Sequence, residues 1–373
     1  MLSKRPGALS KPETLEVFLK TPSDRLRIAV LFGGRSAEHD VSVLSATNVM
    51  RALDPDTYDT VPIYVTRAGQ WLLSSYDDGT LGKPSRGTEI CLVPGGRGRI
   101  LAIPDQATAQ ELPGIDILFP VLHGLHGEDG SVQGLCEVAR VPLVGCGVLG
   151  SATALDKDIA KRLLNEAGLP TARSVTVHVN APPPFPDIEA RLGLPVFVKP
   201  ARQGSSVGVS KVENEQDYQA ALADGFKHDR KLVVEEFIQA REIEFAILED
   251  PDGELFISRP GEIAPAEQHG FYSYDAKYID ADGAALTIPA EMPEELESRM
   301  RDMAARGFRA LGCDGMARAD FFVTDKMDVL VNELNTIPGF TDISMYSKVM
   351  AASGIGYAEV IDRLVAHGLA RAR

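Results

Sequence analysis

The sequence predicts an α/β protein of several domains, and three observations lead there. The chain has 373 residues, enough for two or three domains of about 100–200 residues each. Its composition, 44% hydrophobic and 24% charged, is that of a globular protein rather than a disordered or disulfide-stapled one. Buried-looking strands also alternate with glycine turns and amphipathic helices.

Some classes are excluded at once. No apolar run approaches the ~18–20 residues of a spanning helix, so no membrane-spanning helical protein is expected. Cys91, Cys136, Cys146 and Cys313 show no metal-ligand spacing and read as small core residues in a reducing cytosol. With 38 basic against 53 acidic residues, the net charge of −15 repels nucleic acid and anionic lipid. A polyanion such as a nucleotide would need a few local cations working against that field. Residues 1–24 carry lysines but no continuous apolar region, and read as a flexible tail rather than a signal peptide.

The first strand is expected at 27–32, whose continuous apolar run suits burial on both faces in a parallel sheet. Gly33-Gly34 ends it, and a helix over 38–50 follows with Val41, Leu44, Ala46 and Val49 facing inward. Strands at 60–66 and 115–120 continue the α/β pattern, while 78–113 reads as irregular with short strand candidates only. One helix is expected over 151–167, stopped by Gly168 and Pro170. The prolines of 181–186 read as a surface connection. Then come a strand at 195–200, a glycine loop at 201–208, a strand at 209–212 and a helix at 215–223. Strands at 231–237 and 242–248 precede a turn at Pro251-Asp252-Gly253. A helix over 293–311, a hairpin over 316–335 and a helix over 357–368 complete the chain.

The hairpin carries the strongest chemical signal. Strand alternation puts Arg318 and Asp320 on one face, and Glu333 and Asn335 on one face of its partner. A turn centred between Lys326 and Met327 sets Asp320 across from Glu333 and Arg318 across from Asn335; an odd-residue loop would break that register. Facing carboxylates repel unless a hard cation such as Mg²⁺ joins them. A solvated polar face is the alternative. Lys199 ends a buried strand just before the Gly/Ser loop, whose N–H groups could wrap phosphate oxygens. It could equally snorkel to the surface. Glycines 33 and 34 lack the GxGxxG spacing, which argues against a nicotinamide oxidoreductase. His123, His126, Glu128 and Asp129 sit among three glycines; substrate contacts or a turn fit them better than zinc. Residues 267–282 hold Phe271, Tyr272, Tyr274, Lys277 and Tyr278, the composition of a lid. Residues 338–344 follow the hairpin and should open a helix facing the same cavity.

Together these pieces resemble the D-alanine–D-alanine ligases of the ATP-grasp superfamily. The carrying motifs are FGGRSAEHDVS at 32–42, HGLHGEDGSVQG at 123–134, DKDIAKRLL at 156–164 and VKPARQGSSVGVSKV at 198–212. EEFIQAREIE at 235–244, FYSYDAKY at 271–278, RADFF at 318–322 and NELNTIPGFT at 332–341 complete the set. The resemblance spans 27–368. It implies a three-domain ATP-grasp architecture with a Rossmann-like N-terminal domain: a substrate-binding α/β domain at 25–146, a central domain at 147–234, and a C-terminal domain with metal site and lid at 235–373.

The implied activity is ATP-dependent ligation of two D-alanines through an acyl phosphate, for peptidoglycan precursors in the cytoplasm. By resemblance, Glu38 binds the first ammonium and links to Ser205 and Tyr278, and Arg318 meets the developing oxyanion with His123 nearby. Gly339 and Ser344 take the second carboxylate. Lys157, Lys199 and Lys277 hold the phosphates. Phe237, Ile238, Phe271 and Phe322 surround the adenine, Glu235 and Glu242 read its amino group and the ribose, and Asn332 belongs to the same ATP set. Asp320, Glu333 and Asn335 hold two Mg²⁺ or Mn²⁺. Relatives suggest a homodimer. A D-alanyl-D-lactate or D-alanyl-D-serine ligase is the alternative within the class, and a silent nucleotide-binding protein the alternative outside it. The lid ending in Lys277-Tyr278 favours the dipeptide.

Overall fold

The computed structural model describes residues 25–104, 108–265 and 284–372. Three sheets organise them. In the first, β1 (Leu26–Gly33) lies parallel to β2 (Tyr58–Val65) on one side, with α1 (His39–Ala52) packed against it. Every residue of β1 after Leu26 is buried, which is what its apolar run requires. In α1 the buried face runs through Val41, Ser45, Ala46 and Val49, whereas Leu44, expected inward, is 61% exposed. Leu44 lies nearly opposite that stripe at 100° per residue.

The short strand candidates of 78–113 build the edge of this sheet. β3 (Trp71–Leu73), β6 (Glu89–Leu92), β7 (Ile100–Ile103) and β8 (Gln110–Leu112) extend it antiparallel, with β4 (Tyr76–Asp77) and β5 (Thr80–Leu81) as a separate small hairpin. Such short strands take their regularity from neighbours rather than from local pattern. Cys91 falls on the outward side of β6 and is exposed, unlike the core position expected for it, while the other three cysteines are buried. β9 (Ile117–Val121), fully buried, pairs with the other side of β1. A loop and α2 (Ser131–Ala139) follow.

Two helices, α3 (Val148–Leu155) and α4 (Lys157–Glu166), replace the single one expected over 151–167. The break is Asp156, whose extended backbone lets its side chain accept the Ile159 N–H and cap α4. The second sheet has the order β10-β13-β11-β12, from β10 (Ser174–His178), β11 (Val196–Pro200), β12 (Ser210–Val212) and β13 (Lys231–Glu236). The prolines near 184 do not mark a bare connection. They start α5 (Phe185–Leu192), with Pro184 at the N-cap and Pro186 in the first turn, where no N–H is missed. Phe185, Ile188 and Leu192 then bury beside Tyr218 of α6 (Glu215–His228).

The third sheet is antiparallel, in the order β17-β16-β14-β18-β19. Its strands are β14 (Arg241–Glu249), β15 (Leu255–Ile257), β16 (Gly261–Pro265), β17 (Ala284–Thr287), β18 (Met316–Val323) and β19 (Val329–Asn335), with β15 also on β14. Alternation along β14 divides two cores. Ile243, Phe245 and Ile247 meet Leu164 of α4 and Met300 and Phe308 of α7 (Glu294–Ala310). Ala246 and Leu248 share a cluster with Tyr346 and Val349 of α8 (Met345–Ala352), Leu364 of α9 (Tyr357–Arg371) and Ile28 and Val30 of β1. The C-terminal helices thus join the first sheet to the third. Among the described residues no helix is long and apolar enough to cross a membrane.

Candidate active site

The β18–β19 hairpin has the register expected of it, by a different route. Its loop is odd: Thr324 and Asp328 close a three-residue turn, and Val323 pairs with Val329. That alone would set the acids out of register. A bulge beyond Asp320 shifts the pairing by one, so Phe321 faces Val331 while Asp320 faces Glu333 and Arg318 faces Asn335. Asn332 is the extra residue, and its side chain lines the adjoining cavity.

Arg318 is a half-buried guanidinium held bidentately by Asp320 at 2.8 and 2.6 Å, with Glu244 of β14 at 3.0 Å. Burial works against its charge, but Asp320 and Glu244 outweigh it and keep the group cationic. Asn335 donates its amide to Asp320 at 3.0 Å. Across the pair, Glu333 meets the Lys157 ammonium at 3.4 Å. Each of the facing carboxylates therefore has its own cation, which offsets their repulsion.

The cavity beside them has a volume of about 560 Å³ and lies between the second and third sheets. Lys157, Lys199, Ser205, Glu235, Phe237, Ile238, Glu242, Phe322, Asn332 and Glu333, all singled out from the sequence, line it. Lys157 starts α4 and also donates to the Gln203 carbonyl at 2.8 Å. Lys199 does not snorkel; at the end of β11 it donates to Glu235 on the neighbouring β13. Burial lowers the Lys199 pKa, yet Glu235, Glu333 and Glu242 outweigh that and raise it. Burial likewise raises the Glu235 pKa, but Lys199 and Lys161 bring it down to about 2. Phe237, Ile238 and Phe322 supply an apolar wall, with Phe237 41% exposed toward the opening.

A second cluster adjoins this one. Ser205 donates to Glu38, at the N-cap position of α1, and so ties the glycine loop to the first sheet. Ser205 and Ser206 have φ of +48° and +59°, left-handed conformations that cost non-glycine residues about 1–3 kcal/mol and gather at ligand clamps. His123 is buried; burial lowers its pKa, so the ring is neutral. It spans the sheets, with Nδ1 donating to the Ile337 carbonyl at 3.0 Å and Nε2 3.3 Å from the Ser45 hydroxyl. Gly339 and Ser344 adjoin: a Cβ on Gly339 would stand 2.7 Å from the Ser344 hydroxyl. Ser344 also accepts the Thr341 N–H at 3.1 Å just before α8. Phe271, Lys277 and Tyr278 lie outside the described residues, as does the tail at 1–24.

Lys161 and Glu244 escaped sequence reasoning, and Glu128 was read only as a substrate contact or a turn residue. Lys161 reaches Glu235 at 3.0 Å, and its signal was the i,i+4 spacing from Lys157. Glu128 accepts the N–H groups of Gly124 at 2.8 Å and Ile337 at 3.0 Å; burial and the Glu38 charge raise its pKa to about 8. Glu244, second partner of Arg318, alternates with Glu242 along β14.

Two antiparallel sheets closing on a lysine-lined cavity, with an acid pair at its end, define an ATP-grasp protein. The D-alanine–D-alanine ligase of Coxiella burnetii superposes with a TM-score of 0.80 at 31% identity, covering 94% of this chain and 95% of that one. VanG D-Ala:D-Ser ligase of Enterococcus faecalis gives 0.79 at 34% identity, covering 92% and 100%. The D-ala D-ala ligase N-terminus family matches residues 27–146, and the D-ala D-ala ligase C-terminus family residues 163–366. D-alanine–D-alanine ligase A of Brucella suis is 67% identical over 349 residues, covering 94% of this chain and 99% of the relative. That of Mesorhizobium japonicum is 54% identical, with the same coverage. The chain belongs to the D-alanine–D-alanine ligase family.

Proposed function

We propose that this chain joins two D-alanines to D-alanyl-D-alanine, with ATP as co-substrate, for peptidoglycan precursors. The observation that carries the reading is the facing Asp320–Glu333 pair, with Glu333 lining a nucleotide-sized cavity 3.4 Å from the Lys157 ammonium. A free carboxylate is a poor electrophile, and phosphorylating it brings two anions together. The chain meets that difficulty with fixed cations, so catalysis is by positioning and electrostatics.

In this reading the γ-phosphoryl group passes to a carboxylate oxygen of the first D-alanine, leaving ADP. The amine of the second D-alanine attacks the carbonyl carbon and loses a proton, and the tetrahedral intermediate expels phosphate. Glu38 receives the first ammonium, with Ser205 fixing its carboxylate. Arg318 donates to the oxyanion, beside neutral His123. Gly339 and Ser344 take the second carboxylate. Lys157, Lys199 and, from the lid, Lys277 hold phosphates; Tyr278 closes over Glu38 and Ser205. Phe237, Ile238, Phe271 and Phe322 sandwich the adenine, with Glu235, Glu242 and Asn332 as its polar contacts.

The donor set fits two Mg²⁺ or Mn²⁺. Among the described residues no three His, Cys, Asp or Glu side chains are grouped to hold a metal. Asp320, Glu333 and the Asn335 amide offer hard oxygens and leave the remaining positions to phosphate, as Mg²⁺ prefers. Bound there, the ions would screen the transferring phosphoryl group.

The 67% relative named for D-alanine supports the dipeptide over the D-Ala:D-Ser ligase at 34%. We further propose a cytoplasmic homodimer. Exposed Leu135 and Val138 on α2, with Val148 and Leu149 on the adjoining α3, are an apolar set that a second copy would cover, to be checked by light scattering. Product analysis tests the acceptor. D-alanine with ATP and Mg²⁺ should give D-alanyl-D-alanine; product formed only with added D-lactate or D-serine would move the chain to those branches.

A further inference from the structure

Lys161 is a cation near the cavity that the roles above leave unused. It stands one turn beyond Lys157 on α4, so both side chains leave the same helix face. Their tips diverge, Lys157 to Glu333 on β19 at 3.4 Å and Lys161 to Glu235 on β13 at 3.0 Å. Lys161 is only 5% exposed and also donates to the Ala172 carbonyl at 3.2 Å. It does not line the cavity, whereas Glu235 and Lys199 do. Glu235 thus has one oxygen on Lys161 and the other on Lys199.

Two ammonium groups against one carboxylate leave one net positive charge. With Lys199 alone, Glu235 would form a neutral pair, and the cationic excess beside Glu242 and Glu333 would vanish. Resting on the nucleotide reading above, we propose that Lys161 is a positioning residue: it neutralises and clamps Glu235 so that the Lys199 ammonium stays available to the phosphates. Lys161 acts through Glu235 and touches no ligand.

ADP binding in Mg²⁺, followed by calorimetry on the full chain, tests this together with steady-state kinetics. Lys161→Met should weaken ADP at least about tenfold and raise the KM for ATP in step, with the KM for D-alanine within about twofold. Lys161→Arg, which keeps the charge, should bind ADP within about threefold of wild type. Should Lys161→Met fail to fold, Lys161→Gln keeps a donor without charge and should show the same tenfold loss. Unchanged ADP affinity in the uncharged variants overturns the proposal, and so does a D-alanine KM rising in parallel with that for ATP. A wild-type chain that binds no ADP overturns the nucleotide reading itself, which separates the two failures.

Discussion

Glu38 sits between two glycines whose missing side chains make room for it. A Cβ on Gly124 would stand 2.8 Å from its carboxylate, and one on Gly204 would stand 2.9 Å away. Gly204→Ala is the cleaner probe, because Gly124 also has a φ of +71° and would add backbone strain. Pushing Glu38 off Ser205 should lower kcat/KM for D-alanine by about 10²-fold, the cost of an ångström-scale misplacement, while the KM for ATP moves little. Wild-type kinetics in Gly204→Ala would remove Glu38 from the substrate site. Asp320→Asn and Glu333→Gln should each raise the Mg²⁺ concentration for half-maximal rate and lower turnover. Full turnover at low Mg²⁺ would show that neither side chain holds metal. These acids were legible from strand alternation, and Lys199 from its place at a strand end. The buried setting of Glu128 was not, because one of its partners, the Ile337 N–H, lies far along the chain.

At the scale of elements, the hairpin shows how a correct outcome can hide compensating features. Loop length and strand period alone left the facing acids conditional on an even turn. The loop is odd, and the bulge at Asn332 restores the pairing. Deleting Asn332 should join Val331 directly to Glu333, removing the bulge while keeping Asp320 across from Glu333 and Arg318 across from Asn335. Turnover at saturating ATP should largely survive that deletion, with the Mg²⁺ dependence of the wild type. Turnover below detection in a folded variant would show that the bulge itself, and not only the register it restores, is required. Strands with continuous apolar runs were readable in advance. The break at Asp156, the helix behind Pro184 and the pairing of the short strands after residue 78 into one sheet edge were not. Caps and edge pairings depend on partners that a local window does not contain.

For the whole molecule, buried carboxylates set opposing pH dependences. Burial works against ionising Glu249, but His367, Arg309 and the Gly315 N–H hold its pKa at about 2, as the two lysines do for Glu235. Both pKa values lie below the ordinary 4.5, so their stabilisation is present above 4.5 and is lost as the pH falls toward 2. Glu128, raised to about 8, has the opposite sign: its contribution is complete below 4.5 and is lost as the pH rises through 8. Melting temperature should therefore drop on both sides. Glu249→Gln should flatten the acid limb and Glu128→Gln the limb between 4.5 and 8. Unaltered limbs in these variants would place the titrating groups elsewhere. Multidomain α/β organisation was visible in the order of elements, but the joining of the first and third sheets by the two C-terminal helices emerged only in three dimensions.

Phosphorylation of a carboxylate is tested most directly by isotope transfer. D-alanine labelled with oxygen-18 in its carboxylate is incubated with ATP, Mg²⁺ and the full chain, and the released phosphate is analysed by mass spectrometry. One labelled oxygen per phosphate is expected, because the acyl phosphate leaves with an oxygen that belonged to the amino acid. Unlabelled phosphate released alongside D-alanyl-D-alanine would contradict activation of the carboxylate by ATP.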